Sequence, residues 1–312
     1  MINDSNIIQT SREPRFTTLQ VFASLTVGFS TLGAIVAVWQ VFSGQVGLME
    51  IALLAIFYFL TALGVEAGFH RYFSHAAFKG LPVTTWLLGA LGSMAAQGPL
   101  LFWVATHRKH HAFTDKPGDP HSPYYDAQGK KIESKLHGIW HAHLGWLFGR
   151  QQVSWAKFAP DLLRQRRLIT INNQYFLWVG IGLLLPALIA GLIGGSWVDA
   201  WKGLVWGGLL RIFLADHVTW AVNSLCHSFG KKPNTVKNKS GNLRWLSIFS
   251  AGGSLHNNHH AFPWAARTDH QSKWQLDVSG LVIEMLGFFG LAHDIQRYSS
   301  SKQIQIERGE TR

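Results

Sequence analysis

The stretch His107-Arg108-Lys109-His110-His111 is answered almost 150 residues later by His256-Asn257-Asn258-His259-His260, with the same spacing of histidines. On a helix, residues three and four apart lie about 60° and 40° from one another around the axis, so each stretch aims three imidazoles one way. Such a face binds metal. His70 and His75 in HRYFSH, and Asn223 with His227 in NSLCH, join the same pattern. Nine imidazoles exceed what one ion takes. The expected site therefore holds two ions on His70, His75, His107, His110, His111, His227, His256, His259 and His260, with Asn223 holding a metal-bound water. His75 follows His70 by five residues, about 140° round an α-helix, so the chain is expected to bend between them.

The rest of the chain reads as membrane protein. Of its 312 residues 47% are hydrophobic, and Phe16 to Met49 and Leu168 to Val198 carry no charge. Each run exceeds the roughly 20 apolar residues that span a bilayer. The one cysteine, Cys226, excludes an intrachain disulfide and a thiolate metal cluster, leaving nitrogen and oxygen donors. The polar start, Met1 to Phe16, has no cleavable signal pattern. A net charge of +11 raises nucleic acid as a partner, but its distribution argues against that. Of 28 basic residues, 11 lie between His107 and Arg167 and 11 between Lys231 and Arg312, while the links Ser43 to Gly47 and Gly194 to Lys202 share one lysine. Positive residues stay inside, so both termini and the histidine site are expected in the cytoplasm, at a bacterial inner membrane.

The expected fold is an all-α membrane protein, with four transmembrane helices and a cytosolic helical cap holding the dimetal site. A single unit, 1–312, divides into a first transmembrane hairpin at 17–69, a cap at 70–167, a second hairpin at 168–229 and a cytosolic C-terminal part at 230–312. Gly80 to Thr106 is long enough to cross, but crossing would separate His70 and His75 from His107, His110 and His111. Broken helices marked by Pro82 and Pro99 are expected instead. Asp115 to Gln128, dense in Pro, Gly and Asp, reads as a loop. His137, His141 and His143 are spaced differently and suit cap packing or a substrate headgroup. Arg164, Arg166 and Arg167 suit a membrane-surface anchor, and Leu281 to Leu291 is short enough to lie in the interface. Glu66, one turn before His70, either orients an imidazole or meets lipid headgroups. Arg211, Asp216 and His217 fall in the fourth crossing, where a charge costs about 2.5 to 3.5 kcal/mol. Asp216 and His217 therefore line a substrate channel or form a buried structural pair.

Imidazole suits zinc, copper, iron and nickel, so the ligands alone do not name the metal. Chemistry narrows the choice. Two metals beside apolar helices meet hydrocarbon, and oxidising an unactivated C–H bond with dioxygen points to iron. No catalytic residue separate from the ligands is expected.

From about Thr61 to Leu291, through GFHRYFSH, THRKHH, GDPHSP, WHAHLGW, HVTWAVNSLCHSFG and HNNHHAFP, the chain resembles the membrane-bound fatty acyl desaturases, the stearoyl-CoA desaturase-like family with its bacterial delta-9 members. The resemblance implies two irons as cofactor with O2 as co-substrate, an acyl tunnel, and ligand roles for the nine histidines and Asn223. No stretch reads as a fused cytochrome b5 domain, so it also implies a separate electron donor of ferredoxin or cytochrome b5 type. The acyl chain would ride on CoA, a carrier protein or a glycerolipid. Two departures stand out. Relatives often carry Glu in a Gly-Glu-Gly-aromatic run where this chain has Gly253, and HRSFK where it has His75-Ala76-Ala77-Phe78-Lys79. His256 in place of Gln argues against a front-end desaturase.

The leading expectation is oxygen-dependent insertion of a cis double bond, at delta-9, into a saturated acyl chain, for unsaturated lipid synthesis. A hydroxylase or acetylenase, on a carrier-protein-bound chain among others, would use the same ligands. A metal transporter or haem electron carrier is the alternative from another class, but transporters place ligands within crossings and haem needs only paired axial histidines.

Overall fold

The computed structural model describes residues 17–149, 153–270, 272 and 274–299, and the polar segment before Thr17 lies outside them. The described chain is mostly helical. Helix α1, Thr18–Phe42, starts on a reciprocal cap in which Thr17 Oγ1 accepts from the Gln20 amide and Gln20 Oε1 accepts from the Thr17 amide. After a five-residue link, α2 runs from Leu48 to Ser74. Its last part, Gly64–Ser74, is π-helical. Short helices α3, Pro82–Met94, and α4, Leu100–Phe113, follow. At 13 and 14 residues each is about 20 Å long, shorter than the roughly 30 Å hydrocarbon core of a bilayer. Then come α5, Lys135–His143, α6, Arg166–Asn173, and α7, Tyr175–Gly194. Helix α8 is continuous over 197–225, with a π-helical middle at Leu204–Leu210. Helices α9, His256–Ala261, and α10, Val278–Phe288, follow.

Among the described residues three helices, α1, α2 and α7, are long and apolar enough to span a membrane. Helix α8 has the length, but carries Asp199, Lys202, Arg211 and Asp216. Phe29, Leu32 and Ile35 on α1 and Leu184, Leu188 and Leu192 on α7 are exposed, as lipid-facing positions are. The inner faces close on small residues. A Cβ on Gly64 would stand 2.3 Å from the Gly92 nitrogen, so α2 and α3 touch backbone to backbone, and one on Gly207 would stand 2.4 Å from Pro186 Cβ. Arg211, fully buried, is satisfied by the carbonyls of Gly207, Met94 and Gly182, which pins α8 to α3 and α7.

A second core lies beyond the spanning segments. Phe69 and Phe73 of α2, Leu100 and Val104 of α4, Leu168 and Ile171 of α6 and Ile283 of α10 pack together. Leu168 thus belongs to this core, and within the expected second hairpin, 168–229, the apolar helix runs over Tyr175–Gly194. An antiparallel pair, Lys79–Gly80 with Ala292–His293, is the one two-stranded sheet among the described residues of a chain expected to be all helix. The expected bend between His70 and His75 is absent. The helix instead loosens: the His75 amide donates to the His70 carbonyl, five residues back. A π-helical turn brings i and i+5 to one face, and the two rings lie 5.1 Å apart without a bend.

Candidate metal centre

Arg108, between the histidines of α4, ties the two histidine-bearing helices together. Its guanidinium donates to the carbonyls of Phe73 and Ser74 at the free C-terminal end of α2, and to Asp161. Asn257 and Asn258 do the same for the six-residue α9. Asn258 Nδ2 donates to the Thr268 carbonyl and Gln275 Oε1, its Oδ1 accepts from Asn242, and Asn257 Oδ1 accepts from the Asn234 amide. The residues between the histidines thus hold the frame, and the histidines face inward.

All nine histidines converge, in two groups. His70, His75, His107, His111 and His259 form one, and His110, His227, His256 and His260 the other, with the ligand atoms of each within 4.8 Å of one another. Within the first, Nε2 atoms of His70 and His259 are 3.0 Å apart, those of His259 and His111 2.9 Å, and those of His75 and His107 2.8 Å. Within the second, His110 to His260 is 3.3 Å, His260 to His256 3.0 Å and His256 to His227 2.9 Å. A divalent ion bonded to imidazole at about 2.0–2.1 Å sets ligand nitrogens at right angles roughly 3.0 Å apart, so this spacing fits a shared cation.

Carboxylates behind the rings strengthen the fit. Glu66 Oε1 lies 2.8 Å from His70 Nδ1, Asp119 Oδ1 2.9 Å from His110 Nδ1, and both Asp115 oxygens 3.1 Å from His227 Nδ1. A carboxylate accepts, so each Nδ1 carries the ring proton and each Nε2 keeps a lone pair turned inward. His259 Nε2 faces two such neighbours at once, which one proton cannot satisfy. Burial, reinforced by neighbouring histidines, also lowers the pKa of His107, His110, His256, His259 and His260 well below the usual value, and brings His111 to about 3. Burial thus favours the neutral form of these six rings, the form that binds a cation. Burial raises Asp119 to about 7, whereas Asp115, which burial alone would raise, is lowered by His227 and the Lys239 amide.

Glu66, expected either behind His70 or at lipid headgroups, takes the first place and is also bound by Arg71, which reaches Asp277 and the Ala266 carbonyl. Asp115, Asp119 and His121, stacked on His110, were not singled out by sequence reasoning. They fall in the Pro/Gly/Asp-rich loop directly after a histidine group, and that adjacency was the available signal. His137, His141 and His143 stay outside both groups. His141 contacts the Ser122 carbonyl, and His143 bridges Ser224 and His217, so His217 ties α8 to α5.

Two cavities meet at the histidines. One lies between α1 and α8, past Phe22, Val27, Trp146 and Trp220. The other runs along α2 and α8, past Tyr58, Ala62, Val65 and Val218. Gln97, Trp103, His107, Thr219 and Asn223 line both, and Gln97 joins Thr219 and Trp103 by hydrogen bonds. Asp216 lines the first, its carboxylate oxygens without a hydrogen-bond partner among the described residues.

Residues 48–281 match the model of the fatty acid desaturase family. The chain belongs to that family. It is 39% identical over 278 residues to the hex-5-enoyl-[acyl-carrier protein] acetylenase of Moorena producens, covering 89% of this chain and 86% of that one. It is 33% identical to delta-9 acyl-lipid desaturase 1 of Arabidopsis thaliana, over 94% of this chain and 87% of that one. With the sn-1 stearoyl-lipid 9-desaturase of Anabaena variabilis it shares 30% over 78% and 82%. This desaturase is an oxidoreductase of fatty acyl chains, with apolar helices fit for a membrane and histidine clusters fit for metal.

Proposed function

We propose that this desaturase removes two vicinal hydrogens from an acyl chain at a diiron site, using dioxygen and electrons from a separate ferredoxin or cytochrome b5 type donor. The convergence of nine imidazoles where two apolar cavities meet carries this reading. His70, His75, His107, His111 and His259 would hold one iron, and His110, His227, His256 and His260 the other. Bound there, the irons supply the redox steps by which dioxygen attacks an unactivated C–H bond.

The chain's own groups do the rest. Glu66, Asp115 and Asp119 keep a proton on Nδ1 of their histidines and so keep Nε2 free for metal. Asn223 holds a water beside the second group. Gln97, Trp103 and Thr219 bend the acyl chain at the histidines, fixing which carbons lie nearest. The apolar walls keep bulk water from the reacting carbons. The proposed chain crosses four times, on α1, α2, α7 and α8, and the distribution of basic residues supports a cytoplasmic histidine side.

For a lipid-linked long chain the proposed product is a cis double bond at carbon 9, the position that the names of two of the relatives above carry. A second reading is favoured by the 39% identity to an acetylenase of a carrier-bound chain: the same site acting on such a short chain. Mass spectrometry of fatty acids, with double-bond location, from a host expressing this chain beside its His110→Ala variant separates them. A monoene lost in the variant supports desaturation, and alkynyl or hydroxylated chains move the outcome to its relatives. An unchanged profile, with iron and an electron donor verified, sinks acyl oxidation.

A further inference from the structure

We infer that the loop 244–249, in the part of the chain expected to be cytosolic, is sunk in the bilayer, where it forms the lipid-facing wall of the second cavity. The inference rests on the proposed spanning of α2. Its anchor is Tyr58, whose hydroxyl donates to the Phe249 carbonyl at 2.7 Å. Tyr58 stands ten residues into α2, about 15 Å from the Leu48 end of a helix about 40 Å long. The hydrocarbon core is about 30 Å thick. Wherever the spare 10 Å or so of helix protrudes, Tyr58 stays inside the core, some 15 Å or more from the boundary on the histidine side. The Phe249 backbone lies beside it.

The loop is built for that place. Trp245 is 65% exposed, Ile248 47% and Phe249 53%, a patch costly in water and at home in lipid. Ile51, Ile56 and Leu60 of α2 are exposed in the same way, giving the patch a lipid-facing neighbour on the helix to which Phe249 is bonded. Non-helical backbone survives at such depth only when its polar groups are satisfied internally or buried in protein. Here Arg244–Leu246 forms one 3-10 turn, and the amides of Leu246 and Ser247 donate to the carbonyls of Leu243 and Arg244. The carbonyls of Leu246, Ser247 and Ile248 accept from the amides of Ser250, Gly252 and Ala251, and the hydroxyls of Ser247 and Ser250 turn back onto the carbonyls of Arg244 and Leu246. Arg244, at the loop's start, is exposed and long enough to reach headgroups. Phe249, Ser250 and Gly253 line the second cavity, so one short segment faces lipid outward and the acyl cavity inward.

The test needs no turnover, so an inactive enzyme leaves it intact. Ile248→Cys and Phe249→Cys proteins are labelled with an environment-sensitive dye, Cys226 being buried, and placed in phosphatidylcholine vesicles with or without a nitroxide at mid-chain. Phe29→Cys on α1 and Lys130→Cys in the cap loop mark lipid and water. Labels at 248 and 249 should match the label at 29, blue-shifted and quenched several-fold more by mid-chain nitroxide than by aqueous iodide. Behaviour like that at 130 overturns the inference, as does self-quenching that grows with protein density, the sign of a second copy on the patch. Should the labelled proteins not fold, quenching by brominated lipid is compared between unlabelled protein and Trp245→Phe. A quenched fraction that fails to fall in the variant overturns it equally.

Discussion

The two histidine groups lie side by side yet are supported differently. The first has five imidazoles and one carboxylate behind them, Glu66, itself held in a buried ion pair with Arg71. The second has four imidazoles and two carboxylates, Asp115 and Asp119, both from the loop after α4. His256 Nδ1 in that group has no hydrogen-bond partner among the described residues. The first group is wired into the spanning helix, so its integrity is tied to the fold. The second leans on a loop, and with one imidazole fewer it has room for the water proposed for Asn223.

The largest expected effect separates the proposed ions. His75→Ala should lower iron from about two per chain to about one, and so should His227→Ala, each with a fall in turnover beyond the 10- to 100-fold that outer partners cost. Iron per chain by elemental analysis decides this. Loss of both irons in either variant would make the groups one cooperative site.

The carboxylates come next. Asp115→Asn should weaken iron binding about 10- to 100-fold with little loss of thermal stability, because Asn still accepts from the Lys239 amide. Glu66→Gln should weaken binding to a similar degree and also lower the melting temperature, because it removes part of the charge facing buried Arg71. Equal melting temperatures would erase the distinction between a site wired into the fold and one leaning on a loop. Smaller again, Asn223→Ala should keep both irons and lower turnover about tenfold, the order of effect of one missing positioning contact.

The nine histidines could be found from sequence because helical spacing turns a repeated pattern into a face. Their division into fives and fours could not, since His110 and its neighbour His111 go to different groups, and only the crossing of α4 and α9 decides which. The π-helical turn at Gly64–Ser74 was hidden for a related reason: a five-residue spacing looks wrong for an α-helix, and nothing local shows that the helix relaxes to accommodate it. Asp115 and Asp119 lay in a loop legible as a loop, but loop composition does not say where its acids point. The apolar runs were plain, whereas Leu168 joined the core around Phe69 and Leu100 through contacts with α4 that no window of sequence contains.

Acid should expose what both groups share. The rings of His107, His110, His111, His256, His259 and His260 are held neutral in the folded chain, first by burial and then by one another. In the unfolded chain each takes a proton near pH 6.5. Below that pH the unfolded state therefore binds more protons than the folded one, and stability falls as pH falls. Metal-free protein in detergent should melt progressively earlier between pH 7.5 and 5.5, by roughly 2–4 °C for each kcal/mol lost. Iron, binding the folded rings alone, should blunt the slope. A melting temperature that stays level or rises on acidification would mean that the metal-free rings are already protonated, and that the neutral, inward-facing nitrogens common to both groups need the metal to form.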